Sequence, residues 1–221
     1  MGEVLNIAVP VMQHYIPFLF SLCFHEFAHA FVAKVRGDDT AQMMGRLTLN
    51  PFSHIDLFGT VAFPILGMAG GIPWVFGWAK PVPVNPRNLK DKKNDMFWVA
   101  LAGPASNILL FFIGLIGLTV SYSLGYDVLR SPYGRMVEYF IVINMVLAFF
   151  NLLPFHPLDG GKILQRFIPN EWNRWLEDHY RELFIGLIAM ILLGAFGYIF
   201  YPVAIFINYS VDLAIQLGVG S

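Results

Sequence analysis

The chain has 221 residues, of which 57% are hydrophobic and only 13% charged, with a net charge of −1 and a mean hydropathy of +0.60. Ordinary soluble domains are about 25% charged and about 45–50% apolar, so the composition excludes a typical water-soluble globule and points to lipid as the solvent for much of the chain. The balanced charge offers no basic face for nucleic acid. A single cysteine, Cys23, excludes an internal disulfide framework and a thiolate metal cluster.

A membrane-spanning helix needs about 20 mostly apolar residues. The first such stretch covers about 9–35 and carries Pro10, Pro17, His25, Glu26 and His29. It lacks a basic n-region and an A-x-A-like cleavage site before it, so we expect no cleaved signal peptide. Cys23 reads as a small packing residue within it. Residues 44–49 predict a small strand or hairpin. The apolar run 57–72 is short and broken by Gly59, Pro64, Gly67, Gly70 and Gly71, which predicts a re-entrant element covered by other protein. Residues 77–93 are rich in proline and base and read as an interfacial loop, with Trp74, Trp78 and Trp98 at the headgroup boundary.

The second span covers about 96–124, with Gly103, Pro104, Gly114 and Gly117 as small packing positions. The third covers about 136–153 and includes Glu138, Asn144 and Asn151; the fourth covers about 183–208. Charge supports four spans. If 57–72 dips in and returns, the loops 34–56, 73–95 and 154–182 share one side and hold twelve Lys and Arg, against only Arg130 and Arg135 opposite. That asymmetry places the basic loops in the cytoplasm and both termini outside.

The chemistry lies in His25-Glu26-Phe27-Ala28-His29. Residues four apart share a helix face, so both imidazoles reach one ion. Glu26 stands about 100° round the helix, close enough to touch a water on that ion without taking a ligand position. This is the H-E-x-x-H pattern of zinc hydrolases, and ionisable groups inside a span are costly and mark function. A catalytic zinc has three protein ligands and an open position. Candidates for the third are His14, His54, Asp56, His156, Asp159 and His179. His14 is about three turns from His25, and His179 lies in a charged loop. Asp159 closes Asn151-Leu-Leu-Pro-Phe-His-Pro-Leu-Asp159-Gly-Gly, where prolines stop the third helix and glycines allow a tight turn back toward the bilayer.

HEFAH followed far downstream by NLLPFHPLDGG resembles the site-2 protease family of intramembrane metalloproteases. Ala102-Gly-Pro-Ala-Ser-Asn107, and the stretch 45–56, are also similar to segments of its compact members. The resemblance implies one Zn2+ per chain held by His25, His29 and Asp159, Glu26 as catalytic base, and Asn151 positioning substrate or steadying the oxyanion. His156, three residues from Asp159, competes as a ligand. His54 either caps local structure or enters the active-site mouth. No PDZ-sized insertion separates the motifs.

The expectation is therefore an all-α polytopic membrane protein, with about four to six transmembrane helices and a small membrane-associated β-hairpin or re-entrant element. It is expected to form a single domain over 1–221, with a catalytic core at about 9–165 and a C-terminal transmembrane helix at about 183–208. The implied partners are membrane lipid and a transmembrane protein or peptide substrate, reached from the cytoplasmic side of the cell membrane. A membrane metal-ion transporter and a catalytically silent scaffold are the alternatives.

Overall fold

In the computed structural model, residues 2–65 and 77–220 are described. Four of the helices are long and apolar enough to cross a membrane. They are α1 (Gly2–Val35), α3 (Lys92–Ser123), α4 (Gly134–Leu152) and α8 (Ala195–Val219). At 1.5 Å per residue the 32 residues of α3 run about 48 Å, well beyond a hydrocarbon core of about 30 Å, so this helix overhangs the bilayer. Its start is fixed by Asp91, whose side chain accepts the Asn94 N–H at 3.1 Å, the usual device for an orphaned first-turn donor.

α3 occupies the middle of the bundle and packs against α1, α4 and α8. Phe111 and Leu118 of α3, Ile141 of α4, and Val203, Ile207 and Ala214 of α8 form one buried cluster. Phe18 and Leu22 of α1 meet Ile143 and Leu147 of α4, together with Ala79, in a second. Outward, α3 exposes Phe112, Ile116 and Val120, and α8 exposes Tyr198, Ile205 and Leu217. An apolar surface of that extent is stable against acyl chains and not against water.

Between α1 and α3 the chain makes a short helix α2 (Thr40–Met43), a 3-10 turn (Pro51–His54) and a π-helical turn (Leu57–Ala62) whose first amides, Phe58 and Gly59, donate to the Asp56 carboxylate. Residues 77–85 form a strap without regular secondary structure. The strap is held on several sides: Trp78 N–H donates to the Gly59 carbonyl, Lys80 N–H to the His54 carbonyl, and Arg46 Nη2 to the Lys80 carbonyl at 2.6 Å. Its far end is tied to the turn that follows α1 by Asp38, wholly buried, which accepts the Asn85 N–H at 2.7 Å and the Asn88 amide at 2.9 Å.

Two expectations need correction. No β-hairpin forms at 44–49: among the described residues there is no strand, and this segment is a succession of turns and bends begun by Gly45 in the left-handed region (φ +66°). The neighbouring strap could not serve as a ladder partner along its length, because Pro81 and Pro83 lack the donors that a ladder needs. The expected element at 57–72 is a π-helical turn over Leu57–Ala62, and its part beyond residue 65 lies outside the described residues.

The second correction concerns the last span. The apolar run read as 183–208 is two helices, α7 (Tyr180–Leu192) and α8. They are separated by Gly194 at φ +74°, a left-handed residue that ends a helix and re-aims the chain. The span therefore covers Ala195–Val219. Two short helices, α5 (Asp159–Leu164) and α6 (Asn170–Asp178), lie between α4 and α7.

Candidate metal centre

His25 and His29 lie one turn apart on α1, their ring centroids 4.6 Å apart. α4 stops at Leu152, just ahead of Pro154, and the chain turns through Pro157 so that Asp159 opens α5. Gly160 is packed so closely on the carbonyls of Leu152 and Leu153 that a side chain there has no room, and this close approach lets the turn fold back. The result is a small triangle. His25 Nε2 and His29 Nε2 are 2.9 Å apart, and each is 3.1 Å from Asp159 Oδ2. All three residues are buried, with exposures of 4%, 7% and 6%.

The far sides of both rings are occupied. His29 Nδ1–H donates to the Val99 carbonyl and His25 Nδ1–H to Asn107 Oδ1, each at 2.7 Å. Both partners are acceptors, so each Nδ1 carries the hydrogen and each Nε2 turns a lone pair toward the other and toward a carboxylate oxygen. Three electron-rich atoms facing one another in a buried space repel unless a cation sits among them. Imidazole and carboxylate are the donor set that suits zinc, and an outer partner on each His is the usual way of aiming such ligands. His25, His29 and Asp159 are thus a group that could hold a metal ion.

The wall opposite the triangle is Gly103 of α3. A Cβ there would lie 2.6 Å from His25 Nε2, and closer still to His29 Nε2. We expect Gly103→Ala to lower zinc content and activity together while the helices persist, because overpacking by a methyl costs about 1–3 kcal/mol and the rings yield first. Metal analysis beside circular dichroism checks this; unchanged zinc in a well-folded variant would contradict it.

Glu26 points to the strap, where Val82 N–H donates to its Oε2 at 2.7 Å. Lys162 Nζ is 3.6 Å from Asp159 Oδ1, the oxygen turned away from the imidazoles. Asn151 gives an amide hydrogen to the Leu147 carbonyl one turn back, at 3.0 Å. His156 lies outside the triangle, 3.2 Å from Gln165, and burial lowers its pKa below the ordinary imidazole value. His54 is buried with Nε2 2.9 Å from the Thr48 carbonyl, a placement that fits the local-cap alternative. His14 packs edge-on against Tyr139, Asp56 caps the π-helical turn, and His179 stacks on Trp175.

Comparison with known proteins gives the chemistry its context. Over 190 residues the chain is 37% identical to YwhC of Bacillus subtilis, which bears the name of a candidate zinc metalloprotease; the match covers 85% of this chain and 83% of that protein. The chain belongs to peptidase family M50, the site-2 protease family. The M50 family model itself matches residues 126–195, the part that carries Asn151 and Asp159. Rip2 of Mycolicibacterium smegmatis, named likewise, is 29% identical over 83% of this chain and 68% of its own length. No solved structure matches. As an M50 member the chain is a zinc-dependent metalloendopeptidase and a multi-pass membrane protein.

Asn107, Gly103 and the Val82 amide were not among the expected site residues. Asn107 carried a readable signal, an amide in the middle of an apolar span. Val82 carried none, since its contribution is a backbone N–H.

Proposed function

We propose that this M50 protease hydrolyses peptide bonds of transmembrane protein or peptide substrates at a zinc ion held by His25, His29 and Asp159, with Glu26 as base. The observation that carries the reading is the buried triangle of donors, two of them on a spanning helix and the third at the start of α5. His29 and His25 lie six and ten residues before the end of α1 at Val35, roughly 9–15 Å along the helix axis at 1.5 Å per residue. A bond cut there belongs to a substrate that has entered the bilayer.

Zinc at this site would polarise the scissile carbonyl and acidify the attacking water. Glu26 takes that water's proton and returns it to the leaving amine. The Val82 N–H, bonded to Oε2, fixes the carboxylate and leaves Oε1 for the transfer. Asn151 has a second amide hydrogen beyond the one given to Leu147, and this hydrogen is available to the developing oxyanion. The excess of Lys and Arg in the loops supports a cytoplasmic position for the water-accessible side. A transporter would need donors spread along a path through several spans, whereas these three converge on a point.

The test is cleavage in vesicles that hold the purified protein and a single-span substrate. Cuts are expected inside the substrate's apolar segment, lost on zinc chelation and restored by zinc. Cuts confined to the aqueous flanks, or equal turnover of soluble peptides, would overturn the intramembrane reading.

A further inference from the structure

Asn107 of α3 and Asn144 of α4 have no exposure at all. A primary amide inside lipid-embedded protein is costly unless each of its polar atoms is bonded, so its hydrogen bonds have a fixed sense. The Phe140 carbonyl can only accept. Asn144 therefore turns Nδ2 to it, at 2.8 Å, and presents Oδ1 to α3. Asn107 Nδ2 donates to that Oδ1 at 2.9 Å and spends its other hydrogen on the Ser21 carbonyl of α1 at 3.3 Å. With both amide hydrogens engaged, only Oδ1 of Asn107 is left to face His25 Nδ1. The sense of every bond in the chain is thus dictated by a backbone carbonyl two residues removed from the imidazole.

We propose that Asn107 and Asn144 act in series as positioning residues that hold His25 in the tautomer with its Nε2 lone pair toward Asp159. Asn107 makes the contact. Asn144 keeps Asn107 from rotating its amide by half a turn, which would set Nδ2 against Nδ1–H and favour the other tautomer. Neither touches a reacting atom. The inference rests on His25 being a zinc ligand.

The test is the zinc affinity of purified, detergent-solubilised, zinc-free protein, measured by competition with a chromogenic chelator, together with the melting temperature of the zinc-free form. Loss of an outer partner weakens metal binding roughly 10–100-fold, and that is the expectation for Asn107→Leu. Asn107→Asp, as the neutral acid, can donate its O–H to Asn144 Oδ1 and keep a carbonyl acceptor toward His25 Nδ1, and it is expected to restore affinity. Asn144→Leu weakens binding in the same direction. The double variant Asn107→Leu/Asn144→Leu is expected to bind no more weakly than Asn107→Leu alone, because residues acting through one another are not additive.

A purely structural stitch between spans predicts otherwise: lower melting temperature, unchanged zinc affinity, additive effects and no rescue by aspartate. Any of the last three overturns the proposal. Asn107→Asp and Asn144→Leu keep the test decisive should Asn107→Leu fail to fold. His25→Ala separates the two levels of inference. If it leaves affinity intact, the ligand assignment itself fails; if it abolishes binding while Asn107→Leu does not weaken it, only the positioning role fails.

Discussion

Glu26→Gln is expected to lower the cleavage rate constant about 10³-fold, inside the range of roughly 10²–10⁴ for a positioned acid–base group, with zinc content unchanged. Glutamine has the same shape, and its amide oxygen can still accept the Val82 N–H that now bonds Oε2, so the side chain stays where it is. What it loses is the capacity to take a proton. Single-turnover cleavage in vesicles, beside metal analysis of the same preparation, reads both quantities. Cleavage at the wild-type rate would remove Glu26 from the reaction, and joint loss of zinc would make its role one of support.

Asp159→Asn is expected to leave the protein nearly free of zinc after chelator challenge, an effect larger than the roughly 10–100-fold change that follows loss of an outer partner. The substitution keeps the shape and removes the only anionic donor of the triangle, so two neutral imidazoles remain. It also deprives Lys162 Nζ of the carboxylate 3.6 Å away, adding an uncompensated cation next to the site. Zinc per chain, measured before and after the challenge, is the readout. A variant that keeps its full complement would move the third ligand elsewhere. Combining it with His156→Ala would then ask whether the neighbouring imidazole has taken over.

Much of this was legible from local rules. The i, i+4 pair in HEFAH needs only helix geometry to converge, and His25 and His29 are found 2.9 Å apart at Nε2. The first three spans follow from runs of apolar residues bounded by charge or proline. The last did not, because hydropathy measures preference for lipid and is blind to a dihedral. Leu192, Leu193 and Ala195 are equally apolar on both sides of Gly194, and the left-handed φ of that one residue divides the run. The 44–49 hairpin failed for a complementary reason. Strand-like composition needs a partner with free donors, and the strap that comes near has proline at 81 and 83.

The rest of the centre is tertiary. Asp159 could be singled out by its proline–glycine setting, but its meeting with α1 depends on how α4 stops and turns. Gly103, Asn107 and Val99 reach the imidazoles from a helix that begins more than sixty residues later in the chain. No periodicity within a single segment encodes which small residue of one helix will lie over which ring of another.

The donors of the triangle are 130 and 134 residues apart in sequence, and that separation imposes an order in time. At about 5–20 residues per second, Asp159 leaves the ribosome roughly 7–26 s after His29. By the end of that interval α1 and α3 can both be in the bilayer with the two imidazoles and Glu26 in place, yet the site lacks its anionic arm. A nascent or truncated chain ending before α5 would carry the sequence signature of a protease without its chemistry. The topology thus delays competence until the helices that enclose the centre have been made.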